Sequence, residues 1–136
     1  LTNGPRNYAD AVLAGLGMSD YFDEVITSSD MRLFGEWRPK PNAAMLRAVC
    51  TRFCVRPNEA VLVDDTLANL KCAKGVGLKT VWCTGYRRRN GKLSHRIDPL
   101  YVDASVVHIR ELERCFQPCA RLPQTGQPRR FLKRTV

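Results

Sequence analysis

Apolar and polar residues along this chain switch repeatedly between a helical period and short β-branched runs, and the switches outline its elements. Pro5 suits a first helical turn. Tyr8, Val12, Leu13 and Leu16 then fall on one face, and Gly17 ends the helix. Val25-Ile26-Thr27 reads as a short strand, and residues 29–41 as a loop holding Phe34 and Trp37. Ala44, Met45, Leu46, Val49 and Phe53 predict a helix over about 42–54. Pro57-Asn58 makes a turn before a strand at 60–64. Thr66 can cap a helix carrying Leu67, Leu70 and Ala73, which Gly75 and Gly77 close. Thr80-Val81-Trp82-Cys83 is the next strand, followed by a strand near Tyr101–Val107 and a helix near Ile109–Phe116. Strands alternating with helices predict an α/β fold built on a doubly wound parallel sheet.

Composition narrows this picture. The 136 residues suit one domain, and a hydrophobic content of 44% is that of a globular protein. No apolar run approaches a membrane span and no signal-peptide pattern occurs, so a cytoplasmic protein without membrane contact is expected. Six cysteines include two C-x3-C pairs, Cys50/Cys54 and Cys115/Cys119. No local histidine or further cysteine completes a zinc set, which favours free thiols in a reducing compartment.

Charge divides the chain. Residues 1–84 hold 10 Lys/Arg against 9 Asp/Glu, whereas residues 85–136 hold 12 against 4, so most of the net +9 lies in the last third. Residues 85–99 form a basic loop with Arg87-Arg88-Arg89. From Gln117 onward there are three prolines and no acid. We expect an ordered part over 1–116 and a disordered basic tail over 117–136. Nucleic-acid binding through these basic stretches is disfavoured, because they lack interleaved aromatics and any recognised binding fold.

The densest chemistry lies in Val61-Leu62-Val63-Asp64-Asp65-Thr66, where a buried strand would deliver two carboxylates to its carboxyl end, the ligand-binding edge of an open α/β sheet. Adjacent acids repel and are costly to desolvate, so they favour a nearby cation or donors. A Mg²⁺ ion held by one or two carboxylates plus a substrate phosphate would meet that need. An ordinary strand ending in a solvated Asp-Asp turn fits the hexapeptide equally well.

The order of three motifs adds a resemblance. Leu1-Thr2-Asn3-Gly4-Pro5, then Trp37-Arg38-Pro39-Lys40-Pro41, then Asp64-Asp65 follow one another as the second, third and fourth signatures do in the haloacid dehalogenase-like (HAD) superfamily. The resemblance covers about residues 1–115. The stretch from Met31 to Pro41 looks most like the pyrimidine 5′-nucleotidase branch. The superfamily's first signature, Asp-x-Asp-x-Thr/Val, which carries the nucleophile, does not occur in this sequence. The resemblance therefore implies the C-terminal part of a longer enzyme, a HAD-like Rossmannoid sheet without its first strand and cap domain. In that fold the nucleophile strand runs between the second-signature strand and the Asp-Asp strand. Its absence leaves two unpaired edges and predicts a marginal or aggregation-prone chain.

The resemblance also implies a reaction and roles. An upstream Asp would attack phosphorus and form an aspartyl-phosphate that water hydrolyses. Thr2 and the amide of Asn3 would bind phosphate, although Thr2 also suits an N-cap for the helix beginning at Pro5. Lys40 would set its ammonium beside the phosphate and the nucleophile. Asp65 would ligate Mg²⁺ directly. Asp64 would contact Lys40 or a water of the ion, and which acid ligates stays open. Asn69 either steadies that loop or occupies a plain helix position. Arg38 reads as a surface or rim residue, and His95 and His108 as solvated or structural. Phe34 and Trp37 could pack on a base, but the large area that aromatics bury favours their closing over the core. The expected activity is a Mg²⁺-dependent phosphomonoesterase acting on a small phosphorylated metabolite, first a nucleoside monophosphate. The alternative is a non-catalytic HAD-like remnant that binds a partner.

Overall fold

The structure, a computed structural model, describes residues 1–85 and 98–115. Arg87-Arg88-Arg89, His95, Cys119 and the expected tail lie outside the described residues. Helix α1 spans Arg6–Gly15, strands β1 and β2 span Arg32–Leu33 and Glu36–Trp37, and helix α2 spans Ala43–Arg52. Strand β3 covers Val61–Asp64, helix α3 Leu67–Val76, strand β4 Lys79–Cys83, strand β5 Ala104–Val106 and helix α4 Leu112–Cys115. The last four elements before α4 make a parallel α/β unit. β3, β4 and β5 lie side by side in that order, with Leu62 beside Thr80, Asp64 beside Trp82 and Trp82 beside Ser105.

The local chemistry explains the elements. The apolar run of β3 suits a strand covered by a helix, and Leu70 and Ala73 of α3 are fully buried against the sheet side. Asn42 caps α2, its Oδ1 accepting the Met45 N–H at 3.0 Å. Gly77, at φ 102°, takes the left-handed C′ position that ends α3 and turns the chain into β4. The core gathers Ile26, Met31, Met45, Leu46, Leu62, Leu70 and Trp82 between the sheet and helices α2 and α3. Among the described residues no helix is long and apolar enough to cross a membrane. Cys50, Cys54, Cys72, Cys83 and Cys115 are free thiols.

Several expectations change. Residues 25–27 do not form a strand, and no described strand pairs with them. They are tied instead by the Thr2 N–H to the Ile26 carbonyl at 2.8 Å and the Ser28 N–H to the Gly4 carbonyl at 3.0 Å. The predicted loop at 29–41 contains the antiparallel β1–β2 hairpin. Its two-residue turn, Phe34-Gly35, has φ of 53° and 82°, the primed geometry that matches strand twist. Phe34 stands at the tip and is fully exposed, and Trp37 is exposed on the return strand, so neither closes over the core. On α1, Tyr8, Val12 and Leu16 are exposed and Ala9 is the buried residue, because no described layer covers the predicted apolar face. Gly75 lies within α3 rather than closing it, and the last helix begins as a 3-10 turn at Ile109–Glu111.

Candidate functional site

Three stretches distant in sequence meet at the carboxyl end of β3: residues 2–4, the approach to α2, and the β3–α3 turn. Each is held by its own local bonds. The Thr2 hydroxyl accepts the Gly4 N–H at 3.1 Å, a turn made by a side chain rather than a helix cap, since Pro5 precedes α1 without any side-chain cap. Asn3 reaches across to Lys40. The Lys40 N–H donates to Asn3 Oδ1 at 2.9 Å, and Asn3 Nδ2 donates to the Lys40 carbonyl at 2.9 Å. Nearby, the Thr27 N–H and hydroxyl both donate to Asp30, which also pairs with Arg6 at 2.7 Å. This closes the turn that leads into the hairpin.

Lys40 and Asp64 form the centre. Lys40 Nζ donates to Asp64 Oδ2 at 2.7 Å, and both side chains are largely withdrawn from solvent. Asp64 Oδ1 accepts the Thr66 N–H and Asn69 Nδ2, each at 2.9 Å. Burial alone would push the Asp64 carboxyl up. The donors Lys40, Asn69 and Thr66, with the lysine's charge, outweigh it and hold the group below the usual carboxylate range. Asp64 therefore stays ionised.

Asp65 differs from its neighbour. It is exposed, and its Oδ1 accepts the Thr66 hydroxyl at 3.1 Å. Thr66 thus spends its hydroxyl on Asp65 and does not cap α3 with it. The Asp65 carbonyl accepts Trp82 Nε1 at 3.1 Å.

The donor set suits a hard cation in part. Among the described residues no three His, Cys, Asp or Glu side chains group as a metal site. Asp64 already accepts three protein donors, whereas the Asp65 carboxylate faces solvent. One outward carboxylate, with a second beside it, fits Mg²⁺, which keeps several waters and commonly takes substrate phosphate oxygens as well.

Hydrogen bonds thus bring together Asn3, Lys40, Asp64 and Asn69, with Asp65 next to Asp64 in the turn, whereas the Thr2 side chain bonds to Gly4. Arg38 stands apart at the surface, paired with Glu36, and His108 is exposed ahead of the last 3-10 turn. Two contributions escaped the sequence reading. For Asn3 the added contribution is that its side chain grips the Lys40 backbone. Trp82 was assigned only to a strand; the β3–β4 register that sets it opposite Asp64 is the signal that could have found it.

A family model described as a haloacid dehalogenase-like hydrolase matches residues 1–77 of this chain. The chain belongs to that family. Validoxylamine A 7′-phosphate phosphatase of Streptomyces hygroscopicus subsp. limoneus is 32% identical over 85 residues, covering 62% of this chain and 36% of that protein. Phosphoglycolate phosphatase of Pectobacterium atrosepticum is also 32% identical, over 87 residues, covering 63% of this chain and 35% of that protein. Among solved structures, the HAD phosphatase of Thermococcus onnurineus superposes with a TM-score of 0.62 at 32% identity, covering 84% of this chain and 47% of its own. This HAD-like chain therefore spans between about a third and a half of the length of these relatives. It shares their α/β fold, and those relatives are phosphatases by name.

Proposed function

We propose that this HAD-like chain is the phosphate- and metal-binding part of a Mg²⁺-dependent phosphomonoesterase whose attacking carboxylate lies on polypeptide outside this sequence. The observation that carries the reading is the Lys40–Asp64 pair at 2.7 Å, partly withdrawn from water, with the exposed carboxylate of Asp65 beside it. A compact ammonium fixed by a buried acid is a point charge ready to meet phosphate oxygens. Thr2, next to Asn3 in the chain, would offer its hydroxyl proton to a phosphate oxygen while the same hydroxyl accepts the Gly4 N–H.

In this reading Lys40 neutralises charge on the phosphoryl group and orients it, and Asp64 holds the lysine's ammonium in place. Asp65, with Asp64 behind it, would hold Mg²⁺, which when bound supplies further neutralisation of phosphate charge. Phosphoryl transfer depends chiefly on such positioning and neutralisation.

The substrate is a small phosphate monoester. The nucleotide reading rests on the stretch from Met31 to Pro41, which forms the exposed hairpin, while the relatives above are named for a validoxylamine phosphate and for phosphoglycolate. The test joins residues 1–136 to an N-terminal half that carries Asp-x-Asp. Phosphate release is then followed with an aryl phosphate, phosphoglycolate and a panel of nucleoside monophosphates. Mg²⁺-dependent release by the joined protein, but not by residues 1–136 alone, is expected. Turnover by the chain alone that survives Asp65→Ala would overturn the reading. The absence of the Asp-x-Asp pattern from this sequence also supports a second reading, a non-catalytic remnant. A joined protein that folds, binds phosphate and releases none from any substrate would favour it.

A further inference from the structure

The peptide plane between Asp65 and Thr66 is held from both ends. Its carbonyl accepts Trp82 Nε1 at 3.1 Å, and its N–H donates to Asp64 Oδ1 at 2.9 Å. Trp82 lies on β4 directly beside Asp64 in the parallel register and is buried. A buried indole N–H needs an acceptor, and the one it meets here is the main chain of the acidic turn. The helix that follows starts from the same turn, with the Asn69 and Leu70 N–H groups both bonded to the Thr66 carbonyl. This peptide follows directly on two neighbouring carboxylates that face different ways. With the plane as observed, Asp64 turns inward to Lys40 and Asn69 while Asp65 stands exposed.

We propose that Trp82 is a positioning residue for the acidic turn: its indole N–H fixes the Asp65–Thr66 peptide so that Asp65 presents its carboxylate outward to a divalent cation. The cation part rests on the metal reading above. The peptide part does not. Trp82→Phe keeps an aromatic ring in the core and removes the donor together with part of the indole's buried volume, so an amide remote from the turn is read beside Thr66 to separate positioning from packing. Without the indole the peptide is free to rotate, which withdraws the Thr66 N–H from Asp64 and lets Asp65 sample several directions.

The test uses ¹⁵N-labelled residues 1–136 joined to an unlabelled N-terminal half that carries Asp-x-Asp, with the two labelled indole resonances assigned by Trp37→Phe. In Trp82→Phe the Thr66 amide should exchange with solvent about tenfold faster, the scale of one lost hydrogen bond, while the Ala73 amide in α3 is unchanged. Titration with MgCl₂ should move the Asp65 and Thr66 amides and the Trp82 indole, but not the Trp37 indole. The midpoint should rise about fivefold in Trp82→Phe and stay put in Trp37→Phe, again the scale of a single hydrogen bond. An unchanged Thr66 exchange rate in a folded Trp82→Phe protein overturns the proposal. If Thr66 responds but MgCl₂ moves nothing in either protein, the peptide role stands and the metal role of Asp65 falls. Should Trp82→Phe not fold, the unsubstituted chain decides. The Trp82 indole and the Thr66 amide should then show matching protection, each relative to its own freely exposed rate, and an indole exchanging as fast as that of Trp37 defeats the proposal.

Discussion

Asn3 grips the backbone of Lys40 with both ends of its side-chain amide, accepting the Lys40 N–H and donating to the Lys40 carbonyl, each at 2.9 Å across 37 residues. A side chain here does what a neighbouring strand would do for a ladder residue. With its backbone held, Lys40 has only its own side-chain torsions left to settle, and Asp64 settles them at the other end. Position, not charge alone, is what the second motif contributes to the third.

Asn3→Ala should therefore cost little stability and much order at Lys40. Two neutral, solvent-exposed hydrogen bonds are together worth about 1 kcal/mol. Urea unfolding should show that loss at a constant m-value. In a completed enzyme the same change should lower kcat more than it raises KM. A loss of several kcal/mol would mean that Asn3 supports the core instead.

Lys40→Met should be far more damaging than its surface-like sequence context suggests. It strands the Asp64 carboxylate in a withdrawn site with only Asn69 and Thr66 as donors. Breaking a buried pair from one side typically costs about 3–5 kcal/mol. Lys40→Met with Asp64→Leu should recover part of that loss, and a double-mutant cycle measures it. In the completed enzyme, Lys40→Ala should cut the rate by roughly 10²–10³, the scale of a removed electrostatic contact. Additive stability losses from the two single changes would show that the pair is not coupled.

These residues also show what the sequence could and could not disclose. The strand–helix–strand unit from Val61 to Cys83 was legible, because its apolar runs, its Thr66 boundary and Gly77 each act locally. The contact of Lys40 with Asp64 was legible too, through the order of the motifs. The hairpin at 32–37 was not legible, since Phe34 fills a positive-φ turn position that Asn or Gly usually signals. The exposure of Tyr8, Phe34 and Trp37 was hidden too, because an apolar period says that a face seeks cover and nothing about whether a layer is there to supply it. The contacts of Asn3 and Trp82 depend on register between distant segments, which no local pattern encodes.

Acid should destabilise the chain through Asp103 and Asp30. The Lys74 ammonium first, then the Thr80 N–H and hydroxyl, hold the Asp103 carboxyl below its usual value against the upward push of burial. The Thr27 N–H and hydroxyl, and then Arg6, do the same for Asp30. Because both folded values are depressed, their contribution is fully present above the unfolded carboxylate value, near pH 4, and is lost as pH falls through the folded values. Unfolding free energy measured from pH 6 down to 2 should drop below about pH 4. Asp103→Asn should flatten that slope. An acid slope identical in Asp103→Asn would show that Asp103 titrates alike in both states.

Residues 1–136 alone should self-associate. The outer edge of β3 has no strand neighbour among the described residues, so the N–H and C=O groups of Val61–Asp64 on that side form a template for another chain. In addition, Tyr8 and Val12 of α1 and Leu16 just after it are exposed, and a groove of about 230 Å³ opens between α1 and Phe22–Val25. An exposed edge and an uncovered apolar face in one small chain favour association over a solvated monomer. Sedimentation velocity should show concentration-dependent species larger than the monomer, with a broad thermal transition. Joining the N-terminal half that supplies the nucleophile strand should convert this to one discrete species with a sharp melt. A chain that remains monomeric at high concentration and melts in a single cooperative step would show that these surfaces are satisfied without a partner.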